Sequence, residues 1–136
     1  MSDRNELSLL LGVEYVGFKG QDAINKLVLE KQGHIKRALY RVDVGYFDLL
    51  WGEHDYDTGR GFGLKHIIAR RTEQGIDADE FLKNLAFAIE NATFRKKNDR
   101  GNFEFFYDGI VMIVSPELRN HKLMFLLTAY KTHSKK

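Results

Sequence analysis

Two stretches of this chain carry side chains that can move protons and hold anions together. The first is GFGLKHIIARR, residues 61–71. Read as a helix, it puts His66 and Arg70 four residues apart on one face, while Leu64, Ile67, Ile68 and Arg71 share another. Histidine is the side chain whose ordinary pKa permits proton transfer near neutral pH. An arginine beside it can grip a phosphate through two hydrogen bonds. The glycines in front allow backbone N–H groups and a helix start to approach an anion. Spacing alone is equally met by a basic amphipathic helix with one surface histidine. The second stretch is LLTAYK, residues 126–131. On a strand, Thr128 and Tyr130 point to one face, with Lys131 following, and Leu127 and Ala129 point to the other.

Other chemistry is harder to build. The chain has no cysteine, which removes thiolate nucleophiles, disulfides and cysteine-based zinc sites. His34, His54, His121 and His133 are scattered with no metal-ligand spacing, so no metal and no cofactor is expected. Among them His54 ranks low, in a loop where substrate contact is conceivable and nothing more. GRGFG lacks the Gly-Lys-Ser/Thr of a phosphate-binding loop and no parallel βαβ unit surrounds it, which excludes a P-loop NTPase. FRKKNDRGNF, residues 94–103, is a basic cluster flanked by phenylalanines. It suits the backbone of a nucleic acid, or simply a solvated loop.

These groups need a frame. At 136 residues and 43% apolar, the chain suits one domain with a real core. No apolar run is long enough to span a membrane, and LSLLLGV does not read as a signal peptide. Net charge is +2 overall, but residues 1–62 hold 8 Lys/Arg against 10 Asp/Glu and residues 63–136 hold 13 against 9. The basic excess therefore lies with the candidate site, which fits an anionic partner. Residues 1–12 read as an N-terminal arm, loose or extended, ahead of a domain over 13–136. QDAINKLVLEKQG predicts a helix, HIKRALYRVDVGYFDLLWG extended chain broken near Gly45, and EHDYDTGRGFG a polar loop. A short helix follows, then a longer one capped by Asp77, with Glu80 completing a capping box. RKKNDRGN reads as a loop, FEFFY-DG-IVMIVS as a hairpin with a type I′ turn, and HKLMFLLTAYKT as a last strand. The order predicts an α+β fold with a mostly antiparallel sheet.

Taken together, QDAINKLVLEKQGHIKRALYRVDVGYFDLLWG, GFGLKHIIARR and LLTAYKT resemble the phage-type members of the barnase–EndoU–colicin–RelE-like (BECR) nucleases, over roughly residues 13–133. The D-x-x-W-G, the G-L-x-H-I-I-x-R-R and the terminal L-L-T-A-Y carry the resemblance, in that order. It implies N-terminal helices on a four-stranded antiparallel sheet and metal-independent endoribonuclease activity, through a 2′,3′-cyclic phosphate. It implies His66 as catalytic histidine, Arg70 or Arg71 on the phosphorane, and Thr128 and Tyr130 completing the site; helical phase favours Arg70. Lys65, Arg71, Lys131 and Trp51 are the expected substrate contacts, and Tyr130, Lys65 or Lys131 the second proton shuttle. It further implies a monomeric bacterial toxin domain, secreted or delivered into a target cell, acting on RNA such as tRNA and neutralised by an acidic immunity protein. The rival reading is a non-catalytic nucleic-acid-binding or phage structural module on the same scaffold.

Overall fold

The computed structural model describes residues 3–132, with side chains from Glu6 onward; His133 lies outside the described residues. In chain order the elements are α1 (Asp3–Leu11), α2 (Gly20–Glu30), β1 (His34–Arg41), β2 (Gly45–Leu50), β3 (Glu53–His54), β4 (Gly61–Phe62), α3 (Gly63–Glu73), α4 (Ala78–Lys83), α5 (Leu85–Asn91), β5 (Thr93–Lys97), β6 (Phe103–Tyr107), β7 (Ile110–Leu118) and β8 (His121–Lys131). Six strands form one sheet in the order β1-β2-β8-β7-β6-β5, and β3 pairs with β4 in a separate two-residue ribbon. All pairs of the large sheet are antiparallel except β2 with β8, which run parallel at Asp48 and Phe125. The fold is α+β as expected, with six strands in its main sheet instead of four.

One strand absent from the sequence reading is β5, expected as the end of a helix running into a loop. Its five residues are all exposed, so no apolar alternation announces it. What zips it on is aromatic: Phe94 lies 5.6 Å from the Phe105 ring and 6.5 Å from Phe103, both on β6. The Asp108–Gly109 turn behaves as read, with both residues at positive φ (47° and 80°) as a type I′ turn requires.

Residues 3–11 are a helix, not an extended arm. Leu7, Leu10 and Leu11 recur at i, i+3 and i+4 and pack with Leu50, Phe62, Leu118 and Phe125 in a small second core. The main core joins Ala23, Ile24 and Leu27 of α2, Leu64 and Ile67 of α3, and the α4–α5 stripe to Phe47, Leu49, Phe105, Met112, Leu126 and Ala129 of the sheet.

The single helix expected after Asp77 is two. Asp77 does cap its start, accepting from the Glu80 N–H at 3.2 Å. At Asn84 the chain breaks, and Gln21 of α2 fills the gap. Its amide donates to the Leu82 carbonyl at 2.8 Å and accepts from the Ala86 N–H at 3.2 Å. An inserted side chain that satisfies the freed backbone groups makes such a break cheap.

Candidate active site

The two motifs around the loop meet backbone to backbone. Gly52 and Gly63 both sit at positive φ (79° and 82°), where L side chains are strained. A Cβ on Gly63 would stand 2.7 Å from the Leu50 and Trp51 carbonyl oxygens, and one on Gly52 would land on the Phe62 carbonyl. The Lys65 N–H donates to the Trp51 carbonyl at 2.8 Å. So the glycines before α3 serve close packing, and at Lys65 the helix start spends its N–H on the protein rather than on an anion. Gly61 likewise leaves room for histidine: a Cβ there would be 2.9 Å from His66 Nδ1.

That packing makes the β3–β4 ribbon, pairing Glu53 with Phe62 and His54 with Gly61. Its tip is self-contained. Asp55 Oδ1 accepts from the N–H groups of Asp57 (2.8 Å) and Thr58 (3.3 Å), and the Asp55 N–H donates to the Arg60 carbonyl at 2.8 Å. Those bonds hold the Asp55 carboxyl below its ordinary range.

The ribbon turns His54 inward against α3. His54 Nδ1 and His66 Nδ1 are 2.9 Å apart, a hydrogen bond whose direction depends on tautomer. The His54 side chain is 0% exposed, and its Nε2 faces the Glu73 carboxylate at 3.8 Å. Glu73 also meets Arg70 Nη1 at 3.4 Å. Burial, then the electrostatic influence of His54, Arg70 and Arg71, pushes His66 from 6.5 down to about 4, with Glu73 opposing. His66 is therefore neutral at physiological pH, able to accept a proton but not holding one to give.

The arginines part company. Arg71 is only 3% exposed. Its Nη1 donates to the Ala129 carbonyl of β8, and its guanidinium lies 5.9 Å from the Tyr130 ring and 6.0 Å from the Phe81 ring. Burial draws its pKa down. Arg70, by contrast, has a side chain 42% exposed, pairs with Glu73 and lies over Gly59 of the loop. Arg71 clamps α3 to the sheet; Arg70 is the arginine left open to solvent.

With this geometry in hand, comparison with known proteins is decisive at the family level. Residues 38–136 match the sequence family described as phage-Barnase-EndoU-ColicinE5/D-RelE like nuclease1. The chain belongs to this nuclease family. No curated protein and no solved structure gives a match.

In this BECR-like nuclease the last-strand residues stand apart from the histidine pair. Register puts Phe105, Met112 and Ala129 in one row, facing the helices, and Phe106, Val111 and Tyr130 in the next, facing away. Thr128 shares that outer face with Ile113 and Glu104. Among the described residues no hydrogen bond joins His66 or Arg70 to Thr128 or Tyr130, and Arg71 is what spans the two groups. Burial and Glu104 raise the Tyr130 pKa, so its phenol stays protonated. Lys131 lines a separate cleft of about 600 Å³ with Ile76, Phe87 and Tyr107. Trp51 packs, half-buried, on the main core and serves the junction through its carbonyl. Lys65 is half-buried with no ion-pair partner among the described residues. Among the described residues no group of three His, Asp or Glu side chains is placed to hold a metal ion.

The nuclease motif's Asp48 works elsewhere too. Its carboxylate accepts the N–H of Arg37 at 2.8 Å, where β1 bulges and Arg37 takes φ 53°. Sequence reading missed His54 as a partner. Its trace was Gly52, Gly61 and Gly63 bracketing the loop, glycines that mark close backbone approach.

Proposed function

We propose that this nuclease is an endoribonuclease that cleaves RNA without a metal ion, by attack of the 2′-hydroxyl on the adjacent phosphodiester. The observation that carries the reading is His66, neutral, pinned through Nδ1 at 2.9 Å by a buried histidine and one helical turn from the exposed Arg70. His66 takes the 2′-OH proton, and the 2′-oxygen attacks phosphorus. Arg70 stabilises the phosphorane's equatorial oxygens. The P–O5′ bond breaks, leaving a 2′,3′-cyclic phosphate and a 5′-hydroxyl. Lys65, next to His66 on α3 and without an ion-pair partner among the described residues, is the available donor to the departing oxygen. A phosphate held by Arg70 offsets one of the charges that depress His66, so binding substrate strengthens the base.

The resemblance and the charge asymmetry support the biological reading that goes with this chemistry. It is a toxin domain delivered into a bacterial cell, cutting RNA such as tRNA, and held in check by an acidic immunity protein over the basic half of the chain. Incubation of several RNA classes with the protein and with His66→Ala, both in EDTA, tests the chemistry. Fragments ending in 2′,3′-cyclic phosphate, formed only by the unmutated protein, are expected. Salt-sensitive binding with every RNA left intact sinks this reading and leaves the non-catalytic module.

A further inference from the structure

The His54–His66 bond can run in either direction, and only one direction leaves His66 a base. If His66 donates from Nδ1, its Nε2 carries a lone pair. If His54 donates, His66 must carry its proton on Nε2 and has nothing with which to abstract another. The choice falls to the far side of His54. Its Nε2 is buried without a hydrogen-bond partner and faces the Glu73 carboxylate at 3.8 Å. A lone pair there would point at a negative charge; an N–H there is attracted to it.

We propose that Glu73, acting through His54, is a positioning device that fixes His66 in the Nδ1–H tautomer and leaves its Nε2 free for proton abstraction. The carboxylate holds the proton of His54 on Nε2, which makes His54 Nδ1 an acceptor and obliges His66 to donate from Nδ1. When His66 takes the substrate proton, its new positive charge is met by the His54 lone pair, with Glu73 behind it. No covalent bond changes in the relay, and no proton need leave His54. Arg70 bonds the same carboxylate, so its departure toward a phosphate leaves Glu73 with His54 as its one remaining ion-pair partner among the described residues.

The inference rests on the nuclease reading for its purpose, yet its test does not need activity. Nitrogen-15 NMR of the imidazole rings of the purified chain reports which ring nitrogen is protonated. Near pH 7 the expected spectrum has His66 protonated on Nδ1 and bare on Nε2, and His54 the reverse. Glu73→Ala, at a half-exposed position that should not disturb folding, should shift His66 toward a mixture of tautomers. In RNA cleavage, Glu73→Ala should lower kcat about tenfold with little change in KM, a fraction of the roughly 10²–10⁴ a general base supplies. His54→Asn puts an amide oxygen where Nδ1 stood and should retain the His66 tautomer and most of the rate. His54→Ala should lose both. His66 protonated on Nε2 in the unmutated protein, including the case of a charged His54, overturns the proposal. So does an Nδ1–H tautomer that persists unchanged in both Glu73→Ala and His54→Ala. Correct tautomers without RNA cleavage would leave the relay standing and remove the nuclease mechanism.

Discussion

The low pKa of His66 has a consequence in two separate measurements. Burial and neighbouring cations carry it from 6.5 to about 4. The folded protein therefore leaves His66 neutral over a window in which the unfolded chain protonates it. Unfolded chains bind the extra proton, so stability is full above pH 6.5 and falls as pH drops toward 4. The gap is worth at most about 3.4 kcal/mol. His66 is half-exposed, and solvent screening reduces this to roughly 1–2 kcal/mol, or about 5 °C in melting temperature for a domain of this size. Asp48 works with the opposite sign: burial raises its pKa, so the fold gains from its protonation in acid. Comparing the unmutated protein with His66→Gln at pH 7 and pH 4.5 cancels Asp48, and the difference in melting-point change is the His66 contribution. The second measurement is the rate. The acid limb of kcat/KM for RNA cleavage should have its midpoint near 4. That of kcat should lie higher, because bound phosphate offsets the charge of Arg70. A kcat/KM midpoint between 6 and 7, with identical pH dependence of stability in both proteins, would refute the reasoning that the site holds His66 neutral.

Other substitutions separate chemistry from scaffold. Arg70→Ala should cut the cleavage rate about a hundredfold with urea stability unchanged, whereas Arg71→Ala should cost about 2–4 kcal/mol in urea unfolding through its lost clasp on β8. Gly63→Ala, at φ 82° with two carbonyls in the way, should destabilise by more than about 1 kcal/mol. It should also lower activity by moving α3 off the ribbon; an unchanged denaturation midpoint would contradict this packing account. Asp48→Ala should cost about 1–3 kcal/mol by stranding the Arg37 N–H, with kcat preserved in the folded fraction.

Local rules disclosed much of this fold. The face-splitting of α3, the Asp77 cap and the Asp108–Gly109 turn all follow from neighbours in sequence, and the structure has each of them. What stayed hidden depends on partners far along the chain. β5 exists because Phe94 finds Phe103 and Phe105, though TFRKK has no buried face. The break at Asn84 exists because Gln21, some sixty residues earlier, reaches into it. His54 owes its place to a ribbon of two residues per strand, too short to leave a periodicity, and to glycines whose purpose is contact rather than flexibility. The two arginines show the limit of helical phase: it separated Arg70 from Arg71 correctly, but only burial reveals that Arg71 is a clamp. Thr128 and Tyr130 were placed on a common face, and which side of the sheet that face addresses depends on the strand register.

The Gly52–Gly63 junction sets the ends of the ribbon, while the Asp55-centred turn closes its tip with its own hydrogen bonds. Between them the chain is divided into a fixed base and a cap that Tyr56 ties to it, its ring edge-on to the His54 imidazole at 4.6 Å. Asp57, which gives the Asp55-centred turn only its backbone N–H, can be changed in charge while the imidazole spacing beneath stays the same. The chain thus has room to retune what it grips at the tip without reinventing the pair of rings at the root.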